Sequence, residues 1–182
     1  MTVVVVDYGS GNLRSAARAC ERAARDRGLE LGVKISARAE DVRAASRIVL
    51  PGQGAFGDCK RGLAAVPGMI AALAEAVAKG RPLLGICVGM QLFAERGLEH
   101  GVHQGLGWLP GDVVALAPAD KALKIPHMGW NELVDLAPHP VLKGLQPGCH
   151  AYFVHSYILD CAERRHVLAQ CDYGGPFAAI VG

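Results

Sequence analysis

Aromatic residues make up only 5% of this chain, and 19 lysines and arginines against 17 acidic residues leave a formal net charge of +2. With so little surface for base stacking and no basic stripe, nothing argues for nucleic acid or an anionic membrane as a partner. No apolar run reaches the roughly 18 residues that a membrane-spanning helix needs. The opening MTVVVVDYG lacks a basic n-region and a cleavage site, so it reads as a first strand rather than a signal peptide. The six cysteines, at 20, 59, 87, 149, 161 and 171, form no C-x-x-C pair and read as reduced thiols of a cytoplasmic protein. Seven histidines are scattered, none at a metal-ligand spacing from a cysteine, so neither a metal site nor a cofactor is expected.

What is present is apolar bulk. Hydrophobic residues are 51% of 182, enough for one domain with a sizeable core, and no repeat or linker divides it. Val3 to Val6 is a continuous β-branched run, the mark of a strand buried on both faces of a parallel sheet. A helix follows from about Leu13 to Arg27, with Leu13, Ala16, Ala17, Cys20 and Ala24 on one stripe and Gly28 at its end. Leu31–Ile35, Arg47–Leu50 and Pro82–Ile86 read as further strands. Gly62 to Lys79 is helical in character but broken at Pro67-Gly68. The alternation predicts a three-layer α/β/α fold with a mostly parallel central sheet. Beyond it, short strands near 113–116, 130–134, 152–154, 167–169 and 177–181, punctuated by Gly and Pro, predict added antiparallel strands in the C-terminal half.

The stretch Pro82-Leu-Leu-Gly-Ile-Cys-Val-Gly-Met-Gln-Leu-Phe93 places Cys87 between a strand and a helix. Ligands of open α/β sheets bind beyond the carboxyl ends of the strands, and Cys87 lies there. A helix start offers free N–H groups and partial positive charge, both of which favour a thiolate. Gly85-Ile86-Cys87-Val88-Gly89 has the G-x-S-x-G spacing of a nucleophile elbow with Cys for Ser, and the N–H of Val88 would face a developing oxyanion. A buried structural cysteine is the competing reading. Pro51-Gly52-Gln53-Gly54, at the end of the preceding strand, adds a glycine-rich loop on the same sheet edge, though such a loop can also be an ordinary turn.

G-I-C-x-G-M-Q resembles the nucleophile segment of the class I (triad-type) glutamine amidotransferases. Asp7-Tyr-Gly-Ser-Gly-Asn-Leu13, Leu50-Pro-Gly-Gln-Gly-Ala-Phe56, Ile125-Pro-His-Met-Gly-Trp-Asn131 and Tyr152-Phe-Val-His-Ser-Tyr157 narrow the likeness to the glutaminase subunits of imidazole glycerol phosphate synthases, in order from residue 3 to about 179. The resemblance implies that Cys87 attacks the glutamine side-chain amide through a thioester. Gly52, Gln53 and Val88 would form the oxyanion hole. Gly54, Gln91, Ser156 and Tyr157 would hold the substrate, the last two at its α-amino and α-carboxylate end through main chain. Ammonia would pass to a (β/α)₈-barrel cyclase in a heterodimer that makes imidazole glycerol phosphate and aminoimidazole carboxamide ribotide in histidine biosynthesis. Asn12, Met128 and Trp130 would lie near the partner face. Without the resemblance, a Met-Gly-Trp loop is local packing.

Three points depart from the pattern or compete with it. The family draws its base and orienting group from a His-Pro-Glu segment near the C-terminus, whereas this sequence stops at Phe177–Gly182. A truncated domain is therefore expected, and a 182-residue form is expected to bind glutamine poorly or to form only a slow thioester. His155 is a substitute base in type, but the resemblance assigns its stretch to glutamine binding. The glycine loop Asp7–Asn12 resembles a dinucleotide fingerprint, yet residue 14 is Arg where the third glycine belongs and no acidic residue closes a second strand. Alternative functions are the glutaminase serving pyridoxal phosphate synthase, which the Ile125–Asn131 stretch disfavours, and a non-catalytic binding subunit that keeps the fold but lacks the base.

Overall fold

The Val3–Val6 run forms the centre of β1 (Thr2–Val6), and both of its faces are buried. In the computed structural model, which describes residues 1–182, the chain divides into two compact units, Met1–Leu92 and Phe93–Gly182. The first contains β1, α1 (Leu13–Asp26), β2 (Gly32–Ser36), α2 (Ala39–Ala44), β3 (Arg47–Gly52), α3 (Phe56–Ala65), α4 (Met69–Ala78), β4 (Leu83–Cys87) and α5 (Val88–Gln91). Its sheet has the order β2-β1-β3-β4 and is parallel throughout.

Because side chains alternate along a strand, Val3, Val5 and Val49 share one face. They pack on Ala17, with Leu13, Ala16 and Cys20 of the predicted α1 stripe around them. Val4, Val6, Ile48 and Leu50 fill the other face, in a core completed by Val42 of α2, Leu63 of α3 and Met69 and Leu73 of α4. Asn12 starts α1 by accepting the Ser15 N–H at 3.2 Å, and Gly28, at φ 62, follows its end. The Pro67-Gly68 break bends α3 and α4 apart by 95°. No single helix is long and apolar enough to cross a membrane.

The second unit is built from β5 (Ala94–Gly97), β6 (His103–Gln104), β7 (Leu109–Ala115), β8 (His127–Glu132), β9 (His150–His155), β10 (Tyr157–Cys161), β11 (Val167–Asp172) and β12 (Pro176–Val181). A mixed sheet runs β10-β7-β5-β6, and β8–β9 and β11–β12 are antiparallel hairpins. The class is the α/β one expected, a parallel sheet with helices and antiparallel strands in the C-terminal half. Those strands form sheets of their own, and α2, β5, β6 and β10 are elements the residue pattern did not announce.

A buried side-chain contact joins one end of the β8–β9 ladder. His127, 2% exposed, pairs across the strands with His155, Nδ1 to Nε2, at 2.9 Å. The Tyr157 carbonyl accepts from His155 Nδ1 at 3.1 Å, so the Nε2 of His155 is the bare nitrogen and His127 Nδ1 donates to it. Tyr173 stacks on the His127 ring at 3.9 Å between centroids. Burial pushes both imidazoles below the ordinary histidine range, and for His127 the neighbouring His155 adds to the effect. The folded state therefore holds the pair neutral while the unfolded chain takes up protons. The pair's contribution is present above the ordinary histidine pKa and is lost as pH falls below it. The melting temperature should drop by a few degrees between about pH 7.5 and about pH 5.5, with about 1 kcal/mol moving it about 2–4 °C in a chain of this size. His127→Phe should flatten that slope. An unchanged slope in calorimetry would mean that the pair is not what titrates.

Candidate active site

β4 ends on Cys87 and the chain turns at once into α5. Cys87 has φ 56 and ψ −124, a left-handed conformation for a residue with a Cβ, costing on the order of 1–3 kcal/mol. The surroundings hold it there. Gly52 is the direct partner of Cys87 in the β3–β4 ladder. A Cβ on Gly52 would come within 2.5 Å of the Gly89 nitrogen and 3.0 Å of the Val88 carbonyl carbon. A Cβ on Gly89 would overlap the Leu50 carbonyl oxygen. Glycine at both positions lets the end of β3 and the turn after β4 close on each other, and that closure presents the sulfur at a strand-to-helix elbow.

The thiol is surface-accessible yet crowded. Burial pushes it above the ordinary thiol range, the backbone N–H of Val88 bonds it and pulls the other way, and Cys59 adds to the upward push. A thiolate stabilised by the helix start was the expectation. With only four residues, α5 has little dipole to offer, and desolvation wins.

The Pro51–Gly54 loop is gripped by the Asp7–Asn12 loop. Tyr8 donates its hydroxyl to the Pro51 carbonyl at 2.7 Å, and burial holds that phenol well above its usual range. The Gln53 N–H donates to Ser10 Oγ at 3.0 Å, and the Ser10 hydroxyl donates to the Gln53 carbonyl at 2.8 Å. The Cys59 thiol also donates to that carbonyl, at 3.2 Å. The Gln53 N–H, expected as an oxyanion donor, is thus held by Ser10 here. Gly11 is glycine because a Cβ would meet Pro51 Cβ at 2.8 Å: it makes room for β3, not for a pyrophosphate. Tyr8, Ser10 and Cys59 contact the Pro51–Gly54 loop without being foreseen from the sequence; for Tyr8 and Ser10 the D-Y-G-S-G-N motif was the available signal, and for Cys59 no local pattern offered one.

Gly54, at φ 88, opens the loop into free space, and Gln91 is buried in α5 one turn after Cys87. Apart from Asn12, the other candidates lie in the second unit. The Ser156 carbonyl accepts the Leu116 N–H, and Tyr157 opens β10 opposite Ala115. His155 has both ring nitrogens engaged, so no lone pair is left to take a proton from a thiol. Met128 and Trp130 are 62% and 71% exposed and stand opposite Val154 and Tyr152, which are exposed too. Asn12 is an N-cap. No cluster of three or more His, Cys, Asp or Glu side chains could hold a metal ion.

Two outcomes test this geometry. Iodoacetamide modification of Cys87, followed by mass spectrometry, should keep accelerating above the pH at which an ordinary thiol is half ionised. A plateau below that pH would contradict the direction of the shift. Gly89→Ala should cost ~1–3 kcal/mol by overpacking against Leu50. It should also slow a glutamine-like electrophile at Cys87 by about tenfold or more, the factor that 1.4 kcal/mol represents.

A profile of class-I glutamine amidotransferases matches residues 4–182. The imidazole glycerol phosphate synthase subunit HisH of Rhodospirillum rubrum is 55% identical over 184 residues, covering 100% of this chain and 86% of the relative. That of Bradyrhizobium diazoefficiens is 56% identical with the same coverage. Among solved structures, a glutamine amidotransferase superposes with a TM-score of 0.66 at 19% identity, over 94% of this chain and 85% of the other. A second, from Thermotoga maritima, gives 0.58 at 16% identity, over 96% and 72%. These two speak for the fold, and the sequence matches for the family: the chain belongs to the class-I glutamine amidotransferases.

Proposed function

We propose that this chain is the glutaminase subunit of an imidazole glycerol phosphate synthase. It hydrolyses L-glutamine and delivers ammonia to a (β/α)₈-barrel cyclase in a heterodimer, in histidine biosynthesis and in the cytoplasm. The observation that carries the reading is Cys87, strained at an elbow opposite Gly52, in a chain more than half identical along its whole length to subunits of that synthase. The Cys87 sulfur, once deprotonated, forms a bond to the amide carbon. The carbon–oxygen double bond opens to an oxyanion, which collapses with breakage of the carbon–nitrogen bond. The nitrogen leaves as ammonia with the proton it gains. Water then cleaves the thioester to glutamate and restores the thiol.

Because burial shifts the Cys87 thiol upward, the step would depend on a base and on oxyanion donors rather than on a thiolate favoured by the helix start. In the family that base belongs to the His-Pro-Glu segment. Val88 would supply one oxyanion donor and the Gly52–Gln53 peptide the second. Gln91 would steady the substrate from α5, and main-chain groups of Ser156 and Tyr157 would bind its amino-acid end. Met128 and Trp130, with Tyr152 and Val154 beside them, offer the apolar face that a cyclase would cover.

Cys87→Ala should abolish glutamine-dependent formation of imidazole glycerol phosphate by the complex, while ammonium salts still support the cyclase. Glutamine use that survives in Cys87→Ala rules the nucleophile out. A complex whose wild-type form works with ammonia alone points to a non-catalytic subunit.

A further inference from the structure

We propose that His155 is a positioning residue for the amino-acid end of glutamine: its ring pins the peptide that follows Tyr157, and so sets the Ser156–Tyr157 main chain that would receive the substrate's α-amino and α-carboxylate groups. This rests on the glutaminase reading and adds to it the side chains that shape that backbone. Three observations carry it. The chain changes sheets here, since β9 ends at His155 paired with β8, β10 begins at Tyr157 paired with β7, and Ser156 alone lies between. The Ser156 carbonyl accepts the Leu116 N–H at 2.8 Å, so the next carbonyl, that of Tyr157, points away from β7. Because β10 is the edge strand of its sheet, no ladder offers that carbonyl a donor, and His155 Nδ1 supplies one at 3.1 Å.

Each of the two bonds holds one peptide plane, so the planes on both sides of the Tyr157 Cα are fixed. The ring that makes the second bond is itself held. A neutral imidazole carries one N–H, and His127 Nδ1, donating to His155 Nε2 at 2.9 Å, keeps that proton of His155 on Nδ1. The Phe153 and Phe177 rings stand 5.6 and 4.9 Å from it between centroids. Main-chain recognition of an amino acid depends on where the peptide groups point, so loosening this turn would weaken binding of the substrate's amino-acid end. The thiol chemistry needs no group of this turn, which separates positioning from a general loss of structure.

The test labels Cys87 in the full-length protein with two electrophiles. One is a glutamine analogue with a chloromethyl ketone in place of the side-chain amide and the α-amino and α-carboxylate groups intact; a sulfur–carbon bond forms and chloride leaves. The other is iodoacetamide, which has no amino-acid end. His155→Phe keeps a ring among the aromatic neighbours and removes the donor. It should raise the half-saturating concentration of the chloroketone about fivefold, the factor that one neutral hydrogen bond of ordinary strength represents. The limiting chloroketone rate and the iodoacetamide rate should stay within about twofold. His155→Asn, whose amide can donate from the place of Nδ1, should restore the half-saturating concentration. Saturation that His155→Phe leaves unmoved, or a fall in the limiting and iodoacetamide rates to match, overturns the positioning role and leaves the glutaminase reading standing. Labelling of Cys87 in the unsubstituted protein that is no faster than that of the other thiols removes the reading and the role together. Nitrogen-15 NMR of the unsubstituted protein, above the ordinary histidine pKa, must also show the His155 proton on Nδ1. A proton on Nε2 overturns the role even if the variants fail to fold.

Discussion

The closest approach in the first unit is between backbone and backbone, where the end of β3 meets the turn after β4. A Cβ at Gly89 would overlap the Leu50 carbonyl, and one at Gly52 would strike the Gly89 nitrogen. The backbone strain at Cys87 survives because this packing leaves the turn nowhere else to go. Cys87, the Pro51–Gly54 loop and α5 are thereby held against one another by main chain, which has no rotamers to lose.

Opposing influences meet on one thiol: desolvation raises the Cys87 pKa and outweighs the N–H that Val88 offers the sulfur. The neighbouring loop carries no charged side chain and is hydrogen-bonded through Tyr8 to Pro51 and through Ser10 to Gln53.

The second unit works by different means. Its β8–β9 hairpin is tied inside by the neutral His127–His155 pair and the rings of Phe153, Tyr173 and Phe177 around it. Outside, Met128, Trp130, Tyr152 and Val154 stand on one face with little to cover them. Alternation along a strand produces both faces at once, so the ordered interior also fixes the geometry of the exposed one.

Much of this was written in the residues. Val3–Val6, the α1 stripe, the Pro67-Gly68 break and the G-x-C-x-G spacing are local patterns whose periods translate directly into elements. Short or charged elements were not legible: α2 is six residues, β5 is Ala-Glu-Arg-Gly, β6 is two residues, and β10 starts at the last residue of the Tyr152–Tyr157 motif with no turn signal to set it apart. The sequence by itself determined that a cysteine would stand at a strand-to-helix turn, because that needs only neighbours within a few positions. Only tertiary structure decided that the thiol is raised rather than lowered, that His155 has no nitrogen to spare, and that Ser10 and Cys59 hold Gln53. Those depend on desolvation and on partners 28 to 49 residues away, and no local period encodes them.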